Sequence, residues 1–362
     1  MIIGRTLGIY VALRFLKMIA VVFFTIYMLV FTLDFVELMR RAGDAQDAST
    51  GIMATLAFYR APSIAEQVLP FAVLFGAMAA LLGLSRKLEL VVARAAGVSA
   101  WQFLQPGLVT GAVIGVVAVT LFNPMAANFK QRAANIEAKI FARSGKATTD
   151  KELWLRQKSV DGQSVVRAIS ASELGRQLNQ VTFFNYDSAG RFLERVEARR
   201  AVLFDGYWEL NDVRVVSTLD EPQTYATSVI ATNLEREQVR RSFIPPEQVS
   251  YWDFAEVIDR TEKAGLDATR YKLHHAALTS RPLLLVAMIL IAATVSLRFF
   301  RFGGIARMVL GGVIAGFVLY VATELTEDLG ANGIIAPEMA AWLPAILGSL
   351  LGVLALLHLE DG

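Results

Sequence analysis

Apolar and polar positions along this chain fall into three blocks: apolar, then polar, then apolar. Apolar runs at 15–33, 67–85 and 103–122, and again at 282–297, 308–323 and 339–359, approach the roughly 20 residues that a membrane helix needs. Lys17 can snorkel at the edge of the first run. The polar block between the two sets runs from Lys130 to Arg281. It opens with Lys130, Arg132, Glu137 and Lys139, a helical extension of the third span. Short strand-like runs follow at 152–156, 164–169, 180–186, 192–198, 201–204, 207–210, 213–216 and 224–230, with turn signals at Asp187-Ser-Ala-Gly190 and Asp205-Gly206. Pro245-Pro246 closes the strand region, and residues 252–264 and 268–279 read as amphipathic helices feeding the membrane.

The pattern predicts a polytopic α-helical membrane protein, six spans arranged three plus three, with an inserted all-β jelly-roll-like domain. The expected boundaries are 1–129 for spans one to three, 130–250 for the β-domain, 251–280 for a helical connector and 281–362 for spans four to six. Within the first set, residues 86–97 read as a short amphipathic helix ended by Gly97, with Leu88, Val91, Val92 and Ala95 on one side. Such a helix either lies on lipid or docks onto something else. In the third span Gly107, Gly111 and Gly115 recur every fourth residue, a stripe that lets helix backbones approach.

Composition agrees with a membrane assignment: 55% of residues are hydrophobic, 19% are charged and the mean hydropathy is +0.47. Arg5, Arg14 and Lys17 precede an apolar run that continues into Phe-Thr-Leu-Asp without a small-residue cleavage site, so the first span reads as a retained anchor. Charge also orients the spans. Arg5, Arg14 and Lys17, then Arg86, Lys87 and Arg94, then Arg298, Arg301 and Arg307 fall on one side of a six-span chain. The loop after span five has Glu324, Glu327, Asp328 and Glu338 around it and no base. The positive-inside rule then places both termini in the cytoplasm and the β-domain outside, in the periplasm of a two-membrane cell. Arg40 and Arg41, in the loop after span one, run against this trend.

Several chemistries are missing. A net charge of +2 gives no reason to expect a nucleic-acid partner, and the absence of cysteine removes disulfides and thiolate metal sites. Gly145-Lys146 lacks the rest of a phosphate-binding loop. There is no H-E-x-x-H and no G-x-S-x-G, and His274, His275 and His358 are too few and too poorly spaced for a catalytic metal site. His274 and His275 read as interfacial polar residues. The apolar runs hold no ionisable residue at their centres, Glu324 at a span end being the nearest, so an ion-coupled carrier is not indicated. No catalytic residue, metal or cofactor is expected on this chain, and work done by the spans needs a partner's energy.

The three-plus-three plan around a β-insert, the loop Leu88-Glu-Leu-Val-Val-Ala-Arg-Ala-Ala-Gly-Val-Ser99, and Pro337 to Pro344 before the last span resemble the lipopolysaccharide-export permease family LptF/LptG. Phe35-Val-Glu-Leu-Met-Arg-Arg-Ala-Gly43 and Arg270-Tyr-Lys-Leu273 look closest to its LptG branch. The resemblance covers essentially the whole chain. It implies a permease subunit, not an enzyme, paired with an LptF-like permease over an LptB ATPase dimer that binds the ATP. It also implies a β-domain that hands lipopolysaccharide to the bridge proteins LptC and LptA.

The resemblance further implies that Glu89 is the acidic contact of the ATPase-coupling helix, in a set with Leu90, Arg94, Ala96 and Gly97. It implies a lipopolysaccharide-binding set of Arg40, Arg41, Lys130, Arg132, Phe31, Phe317 and Tyr320. Arg40 and Arg41 would face the lipid's phosphates, to which a guanidinium presents a planar fork, or would simply anchor to headgroups. Asp34 departs from the family pattern, where a base would fit. Extracting a many-tailed lipid exposes apolar area at about 25 cal/mol per Å², so an external energy source suits the task. The competing reading is a membrane-anchored scaffold or receptor whose β-domain binds a periplasmic protein.

Overall fold

The computed structural model describes residues 4–42, 49–141, 153–159, 162–172, 177–187, 191–217, 221–232, 245–263, 267–302 and 304–361. Gly145-Lys146 and the turn residues 188–190 lie outside them. The helices are α1 (Arg5–Ala42), α2 (Thr50–Arg86), α3 (Glu89–Ala95), α4 (Ala100–Val117), α5 (Asn123–Phe141), α6 (Phe254–Lys263), α7 (Thr269–Phe302), α8 (Ile305–Ala331) and α9 (Pro337–Asp361). The strands are β1 (Leu153–Ser159), β2 (Gly162–Ser172), β3 (Gln177–Tyr186), β4 (Phe192–Phe204), β5 (Tyr207–Ser217) and β6 (Gln223–Ala231). They belong to two compact units. One comprises Met1–Glu137, Pro246–Ala255 and Thr269–Gly362, and the other Ala138–Pro245 and Glu256–Ala268.

Six helical segments are long and apolar enough to cross a membrane, matching the six expected spans. Each of the first four reaches well beyond its apolar run. α1 has 38 residues, about 57 Å at about 1.5 Å per residue, against a hydrocarbon layer of about 30 Å. α2 begins at Thr50 with Ser49 as its cap, so Pro62 lies inside the helix and not near its start. Neighbouring helices and charged side chains make an internal proline tolerable in a membrane helix.

The helical extension expected beyond the third span is α5, which the chain enters through Asn123-Pro124. Pro124 has no N–H, so the Thr120 carbonyl lacks its ordinary α-helical donor. The chain absorbs this with a π turn over Ala118–Phe122 and continues as α5. Thr120 accepts instead from the indole Nε1 of Trp252, at 3.2 Å. Likewise the expected connector helix at 268–279 is continuous with the fourth span as α7, with Pro282 inside it.

The glycine stripe of α4 does pack, but against two partners. A Cβ on Gly107 would come within 2.8 Å of the Phe15 ring on α1, while one on Gly111 would overlap Ile289 and one on Gly115 would overlap Pro282, both on α7. Val11, Phe15 and Ile19, spaced by four, bury one side of α1 in the helical core with Leu74, Leu81, Leu104 and Met288. Elsewhere α1 and α8 expose large apolar side chains, among them Phe24, Met28 and Leu33 on α1 and Ile314, Phe317 and Val318 on α8. A helix that is apolar on all sides suits a lipid or protein neighbour rather than water.

Among the described residues, the β-unit is one six-stranded antiparallel sheet in which each strand pairs with its neighbour in sequence. Its core holds Val166, Leu178, Phe183, Val196, Leu203, Trp208, Leu210 and Val213. The inward positions change phase along the strands. On β4 they are Val196 and Ala198, then Ala201 and Leu203; on β5 they are Trp208 and Leu210, then Val213. The phase changes line up. Gln180 (φ 47°) and Asp212 (φ 55°) are left-handed, and Arg199 pairs with Asp212 at 3.2 Å. This crease turns both halves of each strand toward a common core, which is how a single sheet buries Trp208 completely. The sequence runs 192–198 and 201–204 are therefore one strand, as are 207–210 and 213–216. The expected turn at Asp205-Gly206 is real, with Gly206 at φ 88°.

Candidate functional site

The short helix α3 is narrower than the expected 86–97 and is set by local geometry at both ends. Leu88 takes a left-handed φ of 61° and turns the chain out of α2. After Ala95 the chain closes in a Schellman arrangement: Gly97 N–H donates to Arg94 O at 2.9 Å and Val98 N–H to Ala93 O at 3.1 Å. Gly97 has φ 85°, which a glycine adopts without strain. A capping box then starts α4, with Gln102 N–H donating to Ser99 Oγ at 3.2 Å and Ser99 N–H donating to Gln102 Oε1 at 3.1 Å.

Only two residues of α3 turn inward. Leu90 and Ala93 join the core of the helical unit. Leu88, Val91, Val92 and Ala95 face outward, Val92 at 66% exposure, with Arg94, Ala96 and Gly97 exposed beside them. Of the five residues expected at a coupling contact, Leu90 is thus an internal anchor and Arg94, Ala96 and Gly97 are accessible. Glu89 is half-buried and accepts a hydrogen bond from the Tyr10 hydroxyl of α1 at 3.1 Å. Charge patterning alone gave no reason to pair these two residues.

At the other end of the helical unit, where the chain leaves for the β-insert and returns, two charged networks join the helices. Glu66 on α2, 7% exposed, is paired with Arg281 on α7 and accepts from Asn123 Nδ2 at 3.1 Å. Asn123 Oδ1 in turn accepts from the backbone N–H of Tyr251 at 3.0 Å. Nearby on α2, Arg60 contacts Glu137 of α5 at 2.6 Å and Asp34 of α1 at 3.3 Å. Asp34, out of place for a phosphate contact, has a structural partner. His274 and His275 pack against rings, His275 5.3 Å from Tyr251 and both within 5.7 Å of Phe254.

The residues expected to meet lipid are placed unevenly. Arg40 and Arg41 are both exposed at the end of α1, and both bond Glu37, at 2.9 and 2.8 Å. Two guanidinium groups thus share one carboxylate and keep unsatisfied positive charge. Lys130 lies 3.6 Å from Glu247, and Arg132 is exposed. Phe31 stacks on Phe35 within α1, centroids 6.3 Å apart. Phe317 is exposed on α8, and the ring of Tyr320 lies 5.5 Å from Phe71 of α2. α1 and α8 both pack on α2, Ile19 against Gly76 and Met78 and Leu74 against Gly312 and Gly316. The β-unit carries a hollow of about 360 Å³ lined by Val196, Val215, Tyr225, Val229 and Ile230 among others.

The family model for the lipopolysaccharide export system permease LptF/LptG matches residues 9–358. The chain belongs to this family. Two relatives are the lipopolysaccharide export system permease protein LptG of Escherichia coli strain K12 and that of strain CFT073. Each is 25% identical over 344 residues, covering 90% of this chain and 92% of the relative. A third is LptG of Haemophilus influenzae strain Rd, 22% identical over 305 residues, with 80% and 79% covered. The permease is a multi-pass inner-membrane protein and a subunit of a lipopolysaccharide export system.

Proposed function

We propose that this permease lifts lipopolysaccharide out of the inner membrane with energy from a separate ATPase, and that α3 is where the ATPase engages. The observation that carries this reading is α3 itself: a helix pinned by Leu90 and Ala93 that presents an apolar face and a carboxylate outward. That surface fits a groove with an apolar floor and a cation at its rim. By the positive-inside rule α3 is cytoplasmic and the β-insert periplasmic, the arrangement an ATP-using partner requires. The ATPase is a dimer of the LptB type, and an LptF-like permease completes the membrane pair.

Arg40 and Arg41 receive the phosphates of the lipid at the periplasmic end of α1. Glu37 holds the two guanidinium groups side by side without cancelling their charge. Phe31, Phe317 and Tyr320 supply apolar contact for the acyl chains, with Lys130 and Arg132 on the way to the β-insert. In the insert, β6 is an edge strand among the described residues and carries exposed Tyr225 and Val229. An LptC- or LptA-like bridge protein adds to that edge. β3, β4 and β5 are interior strands, so a crosslinker on 223–231 is the one expected to capture it.

A tagged copy purified from its native membrane tests the reading. An ATPase and a second permease of similar size should co-purify. A stable complex containing periplasmic proteins and no ATPase would instead make the chain a scaffold or receptor.

A further inference from the structure

We propose that Tyr10 is a positioning residue for Glu89, and that through this contact α1 is coupled to α3. The inference rests on the reading of Glu89 as the ATPase-coupling group. Tyr10 lies 79 positions from Glu89 in the chain, yet its hydroxyl donates to Glu89 Oε1 at 3.1 Å. The backbone at Glu89 is already fixed, by left-handed Leu88 on one side and buried Leu90 on the other. What remains free is the glutamate side chain, with its three torsions. A tyrosine removes that freedom with a rigid ring that has only two. The bond occupies one carboxylate oxygen and leaves Oε2 to meet a cation from outside. Glu89 can therefore hold the ATPase and α1 at the same time.

The second half of the inference follows from α1. The helix runs unbroken from Arg5 to Ala42 without a proline, and Val11, Phe15 and Ile19 seat it in the core just beyond Tyr10. A helix of this kind moves as a rod. Tyr10 sits near one end; Arg40 and Arg41 sit at the other, about 45 Å away at about 1.5 Å per residue. One helix thus carries the contact to the coupling carboxylate and, at its far end, the basic pair assigned to the lipid. α2 and α4 also touch α3 and flank it in the chain, but neither carries that pair.

The test is a cycle of Tyr10→Phe, Glu89→Ala and the double variant, each purified as the complete complex with its ATPase and partner permease. Tyr10→Phe keeps the ring and removes only the donor. Three quantities are read: the ATPase recovered per permease, the melting temperature of the complex, and the lipopolysaccharide released per ATP hydrolysed from proteoliposomes. Tyr10→Phe should retain the ATPase and its melting temperature, and should lower release per ATP about three- to tenfold, the scale of one solvent-accessible hydrogen bond. The double variant should be no worse than Glu89→Ala. The inference is overturned if Tyr10→Phe matches wild type, if the two losses multiply as independent effects, or if Tyr10→Phe acts only by lowering the melting temperature. If Glu89→Ala itself matches wild type, the coupling role of Glu89 fails and the inference falls with it. A silent Tyr10→Phe beside an impaired Glu89→Ala sinks the inference alone.

Discussion

At the insert end of the helical unit, buried Glu66 and Asn123 and partly buried Arg281 are bonded across α2, α5 and α7. At the short-helix end, Glu89 meets Tyr10 where both side chains reach solvent, and α3 is held by two buried side chains. The first arrangement is stiff: a buried ion pair tolerates little displacement before one charge is left without its partner. The second is compliant, since a solvent-accessible hydrogen bond exchanges cheaply with water. The drive proposed through α3 needs that division. The end that receives the push has to yield, and the end that guides the β-insert's two connections has to hold its geometry.

Breaking the stiff end should have the largest effect on stability. Arg281→Met leaves Glu66 charged and buried, and should cost about 3–5 kcal/mol in thermal or denaturant unfolding of the detergent-solubilised complex. Adding Glu66→Met should recover most of that loss. Next comes helix packing. Gly115→Val would drive a side chain into Pro282 of α7 and should cost about 1–3 kcal/mol. The compliant end should behave differently. Glu89→Lys should leave the melting temperature near that of wild type while the co-purifying ATPase is lost. Arg40→Gln with Arg41→Gln should be smallest in stability, leaving melting unchanged, and should weaken photocrosslinking to lipopolysaccharide. If Glu89→Lys melted like Arg281→Met, the contrast between the two ends would be wrong.

The sequence displayed the six spans and the β-insert because both are written in hydrophobic period: long uncharged runs for the helices and alternation for the strands. It displayed α3 because Gly97 and the outward apolar positions mark a short amphipathic helix. It hid the charged fasteners. Arg60 and Glu66 lie outside the uncharged run 67–85, and only the continuation of α2 to Thr50 brings them into the helix. Arg281 is 215 positions from Glu66, and no local rule joins residues so distant. The strand breaks expected at Arg199-Arg200 and Asn211-Asp212 misled for a related reason. A change of inward phase looks like a turn in one strand, and is recognised as a crease only when neighbouring strands change phase together. The extension of the third span past Pro124 is legible in the sequence, but the π turn and the Trp252 contact that accommodate the proline are tertiary and leave no local mark. Tyr10 gave no signal, being one aromatic residue among many on an apolar helix.

The central claim is that the membrane chain is passive and its power enters through α3. Its most direct test is the purified chain alone in nanodiscs loaded with lipopolysaccharide, assayed for ATP hydrolysis and for lipid release to a soluble acceptor, with and without an imposed ion gradient. The account predicts neither hydrolysis nor release until the ATPase and the partner permease are added back, and no restoration by them in Glu89→Lys. Hydrolysis by the isolated chain, or release driven by the gradient, would contradict it.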